Sequence, residues 1–173
     1  WSGLWLEQSG VNTISAEVRV APDCTIEELA LVQTAPADNP VLRPHRLAVG
    51  FYNADDDGNI VRTDRIELDV DGERTVVSDA QGRKRPDFIL INDDDLTYTK
   101  IRLDPESLRF ALGHLDRFTD PLARAITWLS LWDMARSAEL PAQSFIDTSL
   151  KALVTEREST TFRYALGQVS TAA

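Results

Sequence analysis

The chain has 173 residues, of which 28 are acidic and 18 basic, for a formal net charge of −10, and 43% are hydrophobic. This suits one globular domain or two small ones and excludes a disordered chain, while an acidic balance with scattered Lys and Arg argues against a nucleic-acid partner. No apolar run is long enough to span a bilayer, so no membrane partner is expected, and the single Cys24 excludes an internal disulfide and fits a reducing, cytoplasmic location.

Residues 1–10 place Trp1, Leu4 and Trp5 at helical spacing, with Gly10 as a stop signal, and read as the tail end of a helix. Both tryptophans are expected to be unusually exposed. Residues 11–103 then alternate polar and apolar side chains in short runs: Val18 and Val20; Leu29 and Leu31; Leu47, Val49 and Phe51; Ile66, Leu68 and Val70; a short T-V-V; the fully apolar F-I-L-I; and Ile101 with Leu103. A period of two with one polar face is the pattern of a half-buried antiparallel strand. Asp55–Asn59 and Asp71-Gly72 read as hairpin tips, because Gly and Asn tolerate positive φ. About seven such strands predict a β-sandwich. The triplet Arg83-Lys84-Arg85, between Gly82 and Pro86, reads as a solvated loop.

From Asp104 the period changes. Asp104 before Pro105, and Asp120 before Pro121, are helix starts with a capping carboxylate and Pro at the first position. Leu108, Ala111, Leu112 and Leu115 stripe the first helix. Leu122 to Ala135 is apolar nearly all round, predicting a helix buried on most sides, with Trp128 and Trp132 packing on one face. Pro141 opens a third helix with Phe145, Ile146, Leu150 and Leu153. Ser159 or Thr160 opens a fourth with Phe162, Ala165, Leu166 and Val169. Short connections imply antiparallel helical hairpins over residues 104–173. The fold class expected is therefore α+β, an N-terminal antiparallel sandwich followed by helical hairpins.

Candidate chemistry is sparse. His45 and His114 are far apart and neither is followed by Glu, so no zinc-binding helix motif is present. The run from Asp55 fails calcium-hand spacing, since Ile60 and Ile66 fall where Gly and Glu are needed. Asp93-Asp94-Asp95 puts three carboxylates in a row; an exposed loop, or one facing another domain, is the expectation over a cation site. No catalytic, cofactor-binding or metal-binding residue is assigned.

The stretch Phe88–Asp104, an apolar strand, then Asn92, a polar turn, Tyr98, alternating Lys100 and Arg102, and a closing Asp104, resembles the start of the C-terminal region of aminopeptidase N-type zinc aminopeptidases. Leu103 stands where that family's last Tyr is usual. Trp5, Gln8 and Gly10 match, in order, a family segment at the handover from catalytic domain to sandwich, with Thr13 near the usual Pro. L-R-P-H-R-L-A-V-G-F-Y and R-T-D-R-I-E-L-D-V are similar to the actinobacterial subgroup. The resemblance implies a piece of a zinc-dependent exopeptidase that removes N-terminal amino acids from peptides. Residues 1–10 would end a catalytic-domain helix, 11–103 form the sandwich, and 104–173 begin an α-superhelical domain. Zinc, the Glu base and the peptide substrate would belong to the parent, whose missing catalytic domain and further helices would be partners; this chain alone would be inactive. Self-association through the Phe162–Val169 stripe is a further expectation. The alternative is a free-standing acidic sandwich-plus-helices module that binds a protein.

Overall fold

The computed structural model describes residues 2–5, 7 and 9–173. After a short helix α1 (Ser2–Trp5), seven strands follow: β1 (Thr13–Val20), β2 (Ile26–Thr34), β3 (His45–Ala54), β4 (Ile60–Val70), β5 (Arg74–Val76), β6 (Phe88–Ile91) and β7 (Lys100–Arg102). Four helices complete the chain: α2 (Pro105–His114), α3 (Pro121–Arg136), α4 (Ala142–Leu153) and α5 (Ser159–Ala172). The α+β layout expected from the periodicities is the one observed. Trp1 and Gln8 lie outside the described residues.

The strands form two sheets, ordered β5-β2-β1-β7 and β4-β3-β6. Pairing is antiparallel except for β7, which lies parallel to β1 with Ile14 opposite Ile101. The registers show why alternation works. Ile14 and Ala16 on β1 stand opposite Gln33 and Leu31 on β2, while Leu47 and Val49 on β3 stand opposite Leu68 and Ile66 on β4. Directly paired residues share a face, so these side chains close the core between the sheets. Asp71-Gly72 is not a hairpin tip. β4 ends in the three-stranded sheet and β5 joins the other, so the turn is a corner between sheets. Gly72, at φ 74°, supplies the positive φ that either geometry needs; only the distant partner strand distinguishes them.

β6 is apolar and buried throughout because it is covered on both faces. Phe88 stacks on Phe110 of α2 and meets Phe118 edge-on at 5.1 Å. Its outer edge is blunted by Ser107, whose buried Oγ accepts from Ile89 N–H at 3.0 Å. The helix starts are as expected: Asp104 accepts from the N–H groups of Glu106 and Ser107, and Asp120 from that of Leu122. The apolar faces are only partly spent. α3 is buried on most sides as expected, with Ala123, Ile126, Trp128, Leu131 and Met134 in the core, but Leu122 and Leu129 remain 42% and 55% exposed on one narrow face. Leu150 of α4 also faces solvent, while Phe145 and Ala152 enter the core. On α5, Ala165 and Val169 are buried, whereas Phe162 and Leu166 remain 41% and 49% exposed.

Candidate functional site

The polar residues that the fold gathers most tightly surround the acidic loop after β6. Asn92, Asp94 and Asp95 adopt positive φ of 58°, 68° and 54°. The Asn92 side chain closes the loop, accepting from Thr97 N–H at 3.0 Å and donating to Thr97 C=O at 2.8 Å. Asn and Asp pay little for this left-handed geometry, which is a physical reason for the composition N-D-D-D. The loop folds back over the outer face of β3. There Gly50 carries no side chain, and a Cβ would overlap the Asp93 carboxylate and reach within 2.7 Å of the Tyr52 ring.

Asp93 is 1% exposed. It accepts from the Tyr52 hydroxyl at 2.6 Å and from Arg62 at 2.8 Å. Arg62 also holds Asp94 at 2.7 Å, and Arg65 takes the other Asp94 oxygen at 2.8 Å. Arg65 continues to Glu67 at 3.0 Å, and Arg46 joins Glu67 at 2.8 Å to Asp69 at 3.1 Å. A single alternating chain of charges therefore crosses β3, β4 and the loop. Burial pushes the Tyr52 hydroxyl well above its usual range, with the hydrogen bond to Asp93 acting in the same direction. The hydrogen bond from Arg62 holds Asp94 below its usual range. The expectation of an exposed acidic loop is corrected for Asp93: the Arg62 guanidinium and the Tyr52 hydroxyl, not bulk solvent, face its carboxylate.

A second hub closes the end of the inter-sheet core. His45 Nε2 meets Gln33 Oε1 at 3.0 Å, and Nδ1 meets Thr97 Oγ1 at 2.8 Å. Gln33 Oε1 also accepts from Arg43 N–H, while its amide donates to Gly72 C=O at 2.9 Å. That fixes the amide orientation, so Nε2 of a neutral His45 donates and Nδ1 accepts. Trp5 packs edge-on against His45 at 5.1 Å, beneath the Arg43 guanidinium at 5.7 Å. Trp5 is thus half-buried against the sandwich rather than bare, because its ring finds a cation and an imidazole to cover it.

Two arginines join sandwich and helices, and a third ties the helices together. Arg85, only 8% exposed, binds Asp104 at 2.7 Å and Glu106 at 2.9 Å. Arg102 reaches from β7 to Asp133 at 2.7 Å and Glu139 at 2.6 Å. Arg124 of α3 holds the buried Glu156, ahead of α5, at 2.8 Å. The Arg83-Lys84-Arg85 triplet is therefore not simply solvated: Arg83 pairs with Asp64 and Lys84 with Asp23. The signal was present in Arg85 itself, but its acidic partners lie beyond an intervening strand pair and loop.

The remaining candidates stay apart. His114 Nδ1 meets the Phe110 carbonyl at 2.9 Å on its own helix, and His45 has both nitrogens engaged. Among the described residues no three His, Cys, Asp or Glu side chains group as metal ligands. Asp55 Oδ1 accepts from the N–H groups of Asp57 and Asn59, a hairpin-tip turn, and those bonds hold its carboxyl below the usual range. Cys24 is exposed. No helix of the described residues is long and apolar enough to cross a membrane.

Two outcomes follow. Gly50→Ala is expected to lower stability by about 3 kcal/mol, because neither the carboxylate nor the ring beneath it can yield without breaking the buried ion pair; urea unfolding measures it, and an unchanged midpoint would refute the close packing. His45 is held down to about 4 by burial first and Arg43 second. The unfolded chain takes up a proton below about pH 6.5 that the folded chain refuses until about pH 4, so stability falls as pH drops through that window. The loss reaches about 3 kcal/mol. Comparing wild type with His45→Gln between pH 6.5 and 5, above the carboxylate range, isolates it: the variant should show a flatter pH slope.

The sequence model of the ERAP1-like C-terminal domain matches residues 88–173. Over 164 residues the chain is 44% identical to aminopeptidase N of Streptomyces lividans, covering 91% of this chain but 19% of that protein. The chain thus spans about a fifth of the length of the curated relative it matches. On these findings the chain belongs to the aminopeptidase N family, with an ERAP1-like C-terminal domain over residues 88–173.

Proposed function

We propose that this chain is a non-catalytic structural segment of a zinc-dependent aminopeptidase that releases N-terminal amino acids from peptides. The 44% identity to aminopeptidase N over nearly the whole chain carries the reading. In it, the sandwich is a spacer and the helices begin a larger helical domain. Metal, water-activating base and peptide site are supplied by other sequence, and the catalytic domain is the partner of the sandwich. The ion pairs of Arg85 and Arg102 support the spacer role, because they bind the helices to the sandwich at several points. A cytoplasmic location is part of the same reading, supported by a lone thiol and no disulfide.

Replacing the matched stretch of the Streptomyces lividans enzyme with this chain tests the proposal. The chimera should hydrolyse aminoacyl-anilides comparably to the parent, while this chain alone, with zinc added, should not. A folded but inactive chimera would favour a free-standing acidic module that binds a protein. Self-association is proposed through the two exposed apolar residues of α5, Phe162 and Leu166, one turn apart. Sedimentation should show a concentration-dependent dimer that Leu166→Glu abolishes; a wild-type monomer at high concentration would remove this contact.

A further inference from the structure

The last two helices are held in different ways. α4 sends Phe145 and Ala152 into the core and is tied by side chains to the end of α2 and the turn after it. Thr148 donates to Leu112 C=O at 3.1 Å, Lys151 to Gly113 C=O at 2.6 Å, and Lys151 pairs with Asp116 at 2.9 Å. α5 buries only Ala165 and Val169 outright. Among the described residues its side chains make no hydrogen bond or ion pair to another element; Thr171 donates to Gly167 C=O within the helix itself.

What fixes α5 lies just ahead of it. The Glu156 side chain is fully buried. Its Oε2 accepts from Arg124 Nε at 2.8 Å, and its Oε1 accepts from a terminal guanidinium nitrogen of Arg124 at 3.0 Å and from the N–H groups of Arg157 and Glu158 at 2.8 and 2.7 Å. Arg124 is itself anchored, donating to Phe118 C=O at 2.6 Å. Glu158 then caps α5, accepting from Thr160 N–H at 3.2 Å. A line of bonds thus runs from α3 through one carboxylate to the first turn of α5. The linker's contact with the turn after α2, from Thr155 to Asp116 C=O, is long at 3.4 Å.

We propose that α5 docks and undocks as a unit, and that the Arg124–Glu156 pair is the latch that holds it docked. A helix of 14 residues is marginal in water by itself, so α5 keeps its helix only while docked. Two buried side chains of modest size supply little of that docking. The latch supplies the rest, since losing either partner leaves a buried charge uncompensated. Docking also creates surface. A groove of about 210 Å³ separates α3 from α5, with Trp128 and Leu129 on one wall and Tyr164 and Gln168 on the other. Its walls belong to different helices, so it exists only in the latched state. This inference does not rest on the aminopeptidase reading, and it holds or fails whether or not the chimera is active.

The test is amide hydrogen exchange of this chain. It is read over residues 162–168, so that fraying at the end of the helix does not count, with β3 and β6 as internal reference. Glu156→Gln, which keeps the size of the side chain, and Arg124→Met should each speed exchange in that segment at least about tenfold and leave β3 and β6 unchanged. Combined, the two substitutions should act no more strongly than either alone, because each opens the same latch. Equal acceleration in α5 and the strands, or loss of the whole fold, would mark a general stability contact and overturn the proposal. Unchanged exchange in α5, or effects of the two substitutions that simply add, would overturn it as well.

Discussion

The Asp93 carboxylate, seated on the backbone of Gly50 and gripped by Tyr52 and Arg62, is the contact on which the architecture turns. A buried carboxylate is costly unless it is both paired and hydrogen-bonded. Here both conditions are met, but only because β3 has a glycine opposite the loop and β4 has an arginine opposite Tyr52. Once seated, Asp93 forces the chain after β6 to turn back over the sheet. That turn delivers Thr97 to His45 and lays β7 beside β1. The parallel pairing of β7, unusual in an otherwise antiparallel sandwich, is the geometric result of this detour.

Charge is used differently inside and outside. Exposed pairs such as Lys84 with Asp23 add little stability. Arg62, Arg85, Arg102 and Arg124 instead reach acids on other elements, at least one of them buried or nearly so in each case. Arginine suits this task because its planar fork satisfies two oxygens at once and does not lose its charge on burial. A chain with a formal net charge of −10 thus places four of its 18 basic residues at joints between elements.

The family match begins at Phe88, inside the sandwich as the strands pair. β6 completes the three-stranded sheet and β7 the four-stranded one, yet both also carry the helices, β6 through Phe110 and Ser107 and β7 through Arg102. The shared strands explain why the sheet unit and the sequence unit do not coincide. The uncovered leucines of α3 and the exposed Phe162 and Leu166 of α5 are what remains after the core has taken its share.

The sequence alone determined the two periodicities, the helix starts at Asp104-Pro105 and Asp120-Pro121, the inward faces of β3 and β4, and the kinship carried by the Phe88–Asp104 stretch. These depend on neighbours a few residues apart, or on a pattern shared with relatives. Tertiary structure alone decided which strands pair, that Asp71-Gly72 turns a corner between sheets, and that Asp93 and Arg85 leave water for partners on other elements. It also decided which side of α3 and α5 stays bare. Such outcomes depend on where residues 31 or 41 positions away come to rest. A short run of aspartates or arginines looks the same whether it ends in solvent or against an opposite charge.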